Sequence, residues 1–178
     1  MAVLVEATSV ILQVGTIRER YAGGWVAFAD RAPNSTLCSD NELARVGFMT
    51  PADCQTFIDY LNRTGLIFLR DGESIDIAVA DQMRGFTARC GWADFGKIEL
   101  KPGQTVSAAQ LPGTQCRQVF CPEGWKYEGS LSAQFGFVPT GQEDKSLKFL
   151  RHEDGMDIYL NLLTGKEIFV GRSDAISR

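Results

Sequence analysis

The chain carries a single histidine, His152, in 178 residues. Any mechanism that needs imidazole as base, triad member or metal ligand therefore has one place to begin. Paired zinc ligands are lacking as well. None of the five cysteines, Cys38, Cys54, Cys90, Cys116 and Cys121, belongs to a Cys-x-x-Cys pair, and close pairs are what a structural zinc site takes. No metal and no cofactor is expected. Basic runs are also missing: 18 Lys and Arg stand against 22 Asp and Glu, a formal charge of −4. That balance gives no electrostatic footprint for a phosphate backbone or an anionic lipid surface, which argues against nucleic-acid and membrane partners. No apolar run approaches the length needed to cross a bilayer.

The usual phosphate-binding punctuation is absent too. Gly165-Lys166 follows Thr164, but no glycine-rich loop precedes it and a strand pattern follows, where a phosphate cradle needs a helix. Gly23-Gly24 lacks the strand-glycine-helix arrangement of a dinucleotide site. Residues 1–15 are apolar, yet they carry Glu6 and no basic residue before Arg18, so they read as a strand and not as a secretory signal. With an odd cysteine count, this predicts reduced thiols and a cytoplasmic location.

Order is plentiful in what remains. Thr50 is a good N-cap, Pro51 suits the first helical position, and Cys54, Phe57, Ile58 and Leu61 recur at i, i+3, i+4 and i+7 before Gly65. These signs predict an amphipathic helix over about 51–64. Val3 to Val14 reads as one strand, and Thr16 with Glu19 has capping-box spacing for a helix through Tyr21, with a further turn or two at Trp25–Ala29. A short strand is expected at Leu43–Met49, although Ser39 and Glu42 could equally cap a helix. Hairpins are predicted around Asp71-Gly72 and Pro102-Gly103, and a three-stranded meander at Leu147–Arg151, Met156–Leu160 and Glu167–Val170. The fold class is α+β: a single domain over residues 1–178, mainly antiparallel, with one firm helix and one or two N-terminal ones.

Two stretches align without a gap. Leu66, Phe68, Leu69, Arg70, Asp76 and Ile77 match Leu147, Phe149, Leu150, Arg151, Asp157 and Ile158. The match raises the possibility of a duplicated hairpin unit, with half-repeats at about 43–81 and 132–161. The competing explanation is that hairpins draw on the same strand alphabet.

Several residues are candidates for a site. Asp81 and Arg84 follow an apolar strand, and Trp92 and Asp94 lie shortly after, so a carboxylate, a cation and a stacking surface fall in one polar region. The plainer reading has Asp81 paired with Arg84 and Trp92 packed inward. His152 falls at an expected hairpin tip, and the acidic pairs Glu143-Asp144 and Glu153-Asp154 flank that hairpin. A small acidic α+β chain without a catalytic motif suggests a non-enzymatic protein-binding module. Its sharpest version is an immunity- or antitoxin-type inhibitor of bacterial type that occludes a partner's basic active site. Two alternatives stand beside it: a small enzyme or small-molecule-binding protein with a site near Asp81, Arg84, Asp94 and His152, and a structural subunit of a larger assembly.

Overall fold

A computed structural model describes residues 1–115, 118–134, 147–153, 156–161 and 167–171. It divides into two compact units, Met1–Trp125 and Lys126–Arg178, and mixes helices with antiparallel sheets in an α+β fold. The first unit begins with β1 (Ala2–Val5), β2 (Thr8–Gln13), α1 (Val14–Arg20), α2 (Gly24–Asp30), β3 (Cys38–Ser39) and β4 (Leu43–Phe48). Next come α3 (Pro51–Arg63), β5 (Leu69–Arg70), β6 (Glu73–Ser74), β7 (Ile77–Asp81) and β8 (Gly85–Phe86). It ends with β9 (Asp94–Lys101), β10 (Gln104–Gln110) and β11 (Val119–Phe120). The second unit holds α4 (Leu131–Gln134), β12 (Leu147–Glu153), β13 (Met156–Asn161) and β14 (Glu167–Gly171).

The first unit is layered. A five-stranded sheet in the order β3-β4-β2-β7-β8 forms the middle. Because side chains alternate along a strand, its two faces bury different sets. Val10, Leu12, Ala44, Val46, Ile77 and Val79 join Ile17, Phe28, Phe57, Ile58 and Leu61 from the helices in one core. Ile11, Leu43, Ala78 and Ala80 face the other way and join Val3, Val5 and Ala109 of a four-stranded sheet, ordered β11-β1-β10-β9. Each fully buried Leu, Ile or Phe contributes about 1.5–3 kcal/mol. The small side chains of Ala78, Ala80 and Ala109 occupy the space between the sheets.

Helix α3 forms as its sequence predicts. Thr50 Oγ1 accepts from the Asp53 backbone N–H (3.2 Å) and donates to the Asp53 carboxylate (2.7 Å). At the other end Gly65 has φ +97°, while Leu66 N–H bonds Leu61 O and Gly65 N–H bonds Asn62 O. That is a Schellman stop. Helix α1 starts differently from expectation. It begins at Val14 with Gln13 as N-cap and no side-chain cap bond, so the Thr16/Glu19 spacing is not used. The helix follows on from β2 without a loop, and tertiary burial of Val14 and Ile17 sets its start.

The expected strand Val3–Val14 is two strands in two different sheets. The chain switches at Glu6-Ala7, where Ala7 has φ +48°, a left-handed conformation that costs an L-residue roughly 1–2 kcal/mol. Partners distant in sequence hold it there. Ala7 N–H donates to Gln82 Oε1 (2.9 Å), Gln82 N–H donates to Ala7 O (2.9 Å), and Ser107 Oγ donates to Gln82 O (2.6 Å).

The hairpin at Asp71-Gly72 is present as a short β5–β6 pair. Both turn residues have positive φ, as a type I′ turn requires. It does not continue unbroken to Ala80. Asp76 interrupts it, its carboxylate accepting from Arg20 Nη1 (2.6 Å) and Ile67 N–H (2.8 Å) before β7 enters the central sheet.

In the second unit β12, β13 and β14 form the expected meander; residues 154–155 and 162–166 lie outside the described residues. The apparent repeat does not carry through to one hairpin geometry. Leu69 faces Ser74 across a turn at 71–72, whereas Glu153 faces Met156 across 154–155. The strand pairings are therefore two positions out of step in the ungapped alignment. Phe149 is 53% exposed, whereas Phe68 is partly buried against the helix-side core. The two segments share strand residues without sharing a register.

Candidate functional site

A concave feature of the first unit arises from the β9–β10 hairpin. Pro102-Gly103, with Gly103 at φ +77°, turns the chain. Leu100 is left without an opposite residue where the register shifts from Lys101↔Gln104 to Glu99↔Thr105. Such a bulge strengthens the local twist. Beyond it Ile98 lies opposite Val106, Gly96 opposite Ala108, and Asp94 opposite Gln110. Alternation puts Phe95 and Ala109 on the face that meets the central sheet. Gly96, Ile98, Ala108 and Gln110 consequently share the other face. Gly96 and Ala108 add almost no bulk there, so the surface dips.

The wall comes from the following loop. Gly113 (φ +76°) closes a turn in which Thr114 N–H bonds Leu111 O, and the chain returns so that Gln118 O accepts from Ala2 N–H (3.2 Å). Thr114, Gln115 and Gln118 then overlook the dip. The result is a groove of about 720 Å³ lined by Gly96, Lys97, Ile98, Ala108, Gln110, Thr114, Gln115 and Gln118. Its lining sets the amides of Gln110, Gln115 and Gln118, the Thr114 hydroxyl and Lys97 over a small apolar floor. Gln110 Oε1 is buried and accepts no hydrogen bond from any described residue. An orphan acceptor of this kind carries a desolvation cost of about 1–3 kcal/mol that a donor would relieve.

Alongside the groove runs a sheet edge. Among the described strands β9 pairs only with β10, and Asp94, Gly96, Lys97, Glu99 and Lys101 are exposed. The charges along it alternate in sign, and with the bulge they discourage indiscriminate pairing.

Asp81 Oδ1 accepts the backbone N–H groups of Met83 and Arg84 (both 2.9 Å), capping the turn into β8. Trp92 Nε1 donates to Ser74 O (3.1 Å), and its ring packs beside the inter-sheet core. Asp94 opens β9, exposed, directly across from Gln110. It is paired with a groove residue, though it does not itself line the groove. His152 stands in β12 opposite Asp157, inside the strand and not at its tip. Glu153 ends β12 opposite Met156. Glu143, Asp144 and Asp154 lie outside the described residues, as does Cys116. Gln110, Gln115, Gln118 and Gly96 were not singled out from sequence; the available signal is three glutamines around Pro112-Gly113.

A second cluster lies where the sheets meet. Arg45 is almost wholly buried. Its Nε donates to Ser9 Oγ (2.9 Å), Nη2 to Glu6 O (2.8 Å) and Nη1 to Thr36 O (3.4 Å). Burial draws the guanidinium below its ordinary pKa, while the Cys38 thiol and the Glu6 carboxylate oppose that shift. The Glu6 carboxylate accepts from Trp125 Nε1 (3.0 Å). Burial pushes the Cys38 thiol up to about 11 against the pull of Arg45, and pushes Cys121 up to about 12. Among the described residues no group of three or more His, Cys, Asp or Glu side chains is placed to hold a metal ion, and no helix is long and apolar enough to cross a membrane.

No protein-family model matches this chain. No curated protein matches it. No solved structure matches it.

Proposed function

We propose that the chain is a protein-binding module that takes an extended polypeptide segment along the β9 edge and into the adjoining groove. The supporting observation is the coincidence of an exposed sheet edge with a groove lined in part by Gln110, whose buried Oε1 accepts no hydrogen bond from the described residues. A polypeptide meets both demands at once. Its backbone adds a strand to β9, and one N–H, from its main chain or a side chain, reaches Gln110. The alternating charges Asp94, Lys97, Glu99 and Lys101 favour a segment of the opposite alternation, each cross-strand pair contributing about 0.2–1 kcal/mol.

In its sharper form the partner is a protein whose basic active site the chain occludes, in the manner of an immunity or antitoxin protein. The net charge of −4 supports that version by favouring encounter with a basic surface.

Gly96 provides the test. A Cβ built there meets nothing within 4 Å, so Gly96→Leu fits the fold while filling the groove floor. A displayed library of linear peptides is selected against the wild-type chain, and the selected peptides are titrated against both proteins. The expected result is affinity at least tenfold weaker for Gly96→Leu at unchanged melting temperature. Equal affinity for both proteins contradicts the reading, as does a library that yields no binder.

A further inference from the structure

The two thiols beside Arg45 are brought together by elements far apart in sequence. Cys38 lies in β3, an edge of the central sheet, and Cys121 directly follows β11, an edge of the other. Cys38 Sγ donates to the Phe120 carbonyl oxygen at 3.4 Å. In a trans peptide that oxygen lies about 2.8 Å from the Cα of the next residue. Cys38 Sγ is therefore within roughly 6 Å of the Cys121 Cα, and the two thiols are close enough to act on each other electrostatically.

The parallel β1–β11 pairing, Ala2↔Val119 and Val3↔Phe120, ends one residue before Cys121, whose Sγ donates to the Val119 carbonyl oxygen at 3.7 Å. Both cysteines are free in this structure, Cys38 buried and Cys121 partly exposed.

We propose that Cys38 and Cys121 are a redox modification site, joined as a disulfide when a low-molecular-weight disulfide such as oxidised glutathione is the oxidant. The partly exposed Cys121 reacts first. Its thiolate attacks one sulfur of the oxidant, releasing one thiolate and leaving a mixed disulfide. The Cys38 thiolate then attacks the Cys121 sulfur and expels the second. The two protein thiols together lose two protons and two electrons, and the oxidant becomes two thiols. The bond staples β11 to β3. It also anchors the segment carrying Gln118 on the groove rim; that consequence, unlike the bond itself, rests on the binding function proposed above.

Both thiols carry raised pKa values, so the thiolate is scarce and the reaction is slow near neutrality, quickening about tenfold per pH unit below those values. The test incubates the full chain with oxidised glutathione at pH 7.5, 8.5 and 9.5, quenches with an alkylating agent, and maps peptides by mass spectrometry. The expected product links Cys38 to Cys121. In Cys38→Ser the glutathione adduct on Cys121 persists at least tenfold longer, because no resolving thiol is present. If Cys38→Ser does not fold, Cys121→Ser answers the same question, with Cys38 expected to remain unmodified in the folded chain. A stable adduct on Cys121 beside an alkylated Cys38 in the wild type overturns the proposal. So does a disulfide from either residue to Cys54, Cys90 or Cys116.

Discussion

The guanidinium of Arg45 occupies the space that a side chain on Gly47 would need. The two residues lie on one face of β4, and a Cβ at Gly47 would overlap Arg45 Nη2 and Cζ. Gly47 is tied from two directions as well: its N–H donates to Thr36 Oγ1 (2.7 Å) and its carbonyl accepts from Asn34 Nδ2 (2.9 Å). Gly47→Ala forces the buried cation off Ser9 Oγ and Glu6 O. The expected loss is about 2–4 kcal/mol, combining overpacking with a displaced buried charge. Urea denaturation checks it, and a loss below about 0.5 kcal/mol shows that Arg45 can swing aside freely.

The sheet switch at Ala7 stores a small, testable strain. Ala7→Gly keeps the backbone bonds to Gln82 and removes the Cβ from a left-handed conformation. The relief exceeds the added entropy of the unfolded chain, so stability is expected to rise by about 0.5–1 kcal/mol. A lowered denaturation midpoint contradicts this.

Helix α3 anchors one core. Phe57 is buried and stacks with Tyr60 (ring centroids 6.2 Å apart) while touching Phe48 and Phe28. Phe57→Ala is expected to cost about 3–5 kcal/mol, and Thr50→Ala about 1 kcal/mol through the lost cap. A neutral Phe57→Ala measured by chemical denaturation places the helix face wrongly.

That helix was legible from sequence because every cue to it is local: the cap, the proline, the stripe and the glycine stop fall within Thr50–Gly65. The switch between β1 and β2 was not. Glu6 inside an apolar run is a faint sign, and what holds the switch is Gln82 and Arg45, whose approach depends on the whole sheet order. The capping spacing of Thr16 and Glu19 was overridden by burial of Val14 and Ile17. The groove was hidden for a related reason. Gly96 and Ala108 are unremarkable in the chain and form a floor only once the β9–β10 register sets them opposite. The likeness of Leu66–Ile77 to Leu147–Ile158 misled because strands reuse residue types, whereas register depends on where the turn falls.

Buried thiols predict an alkaline weakness. Burial raises Cys54 to about 12 and Cys38 to about 11 in the folded chain, against 9.0 for a free thiol. Below pH 9 both states hold the proton and the thiols add no pH dependence. Above it the unfolded chain releases protons that the folded chain keeps, so stability falls from about pH 9 until the folded values are passed. Urea midpoints between pH 8 and 11 should decline less steeply for Cys54→Val than for the wild type. Parallel slopes contradict the assignment.

Strand addition to β9 is read out by amide hydrogen exchange along Asp94–Lys101 with and without a saturating selected peptide. Strand addition predicts that alternate amides of β9, those facing away from β10, slow by at least tenfold, while those of α3 and β2 keep their rates. Unchanged exchange along β9 in the presence of a peptide that binds, with protection appearing elsewhere, would show that β9 is not the binding edge.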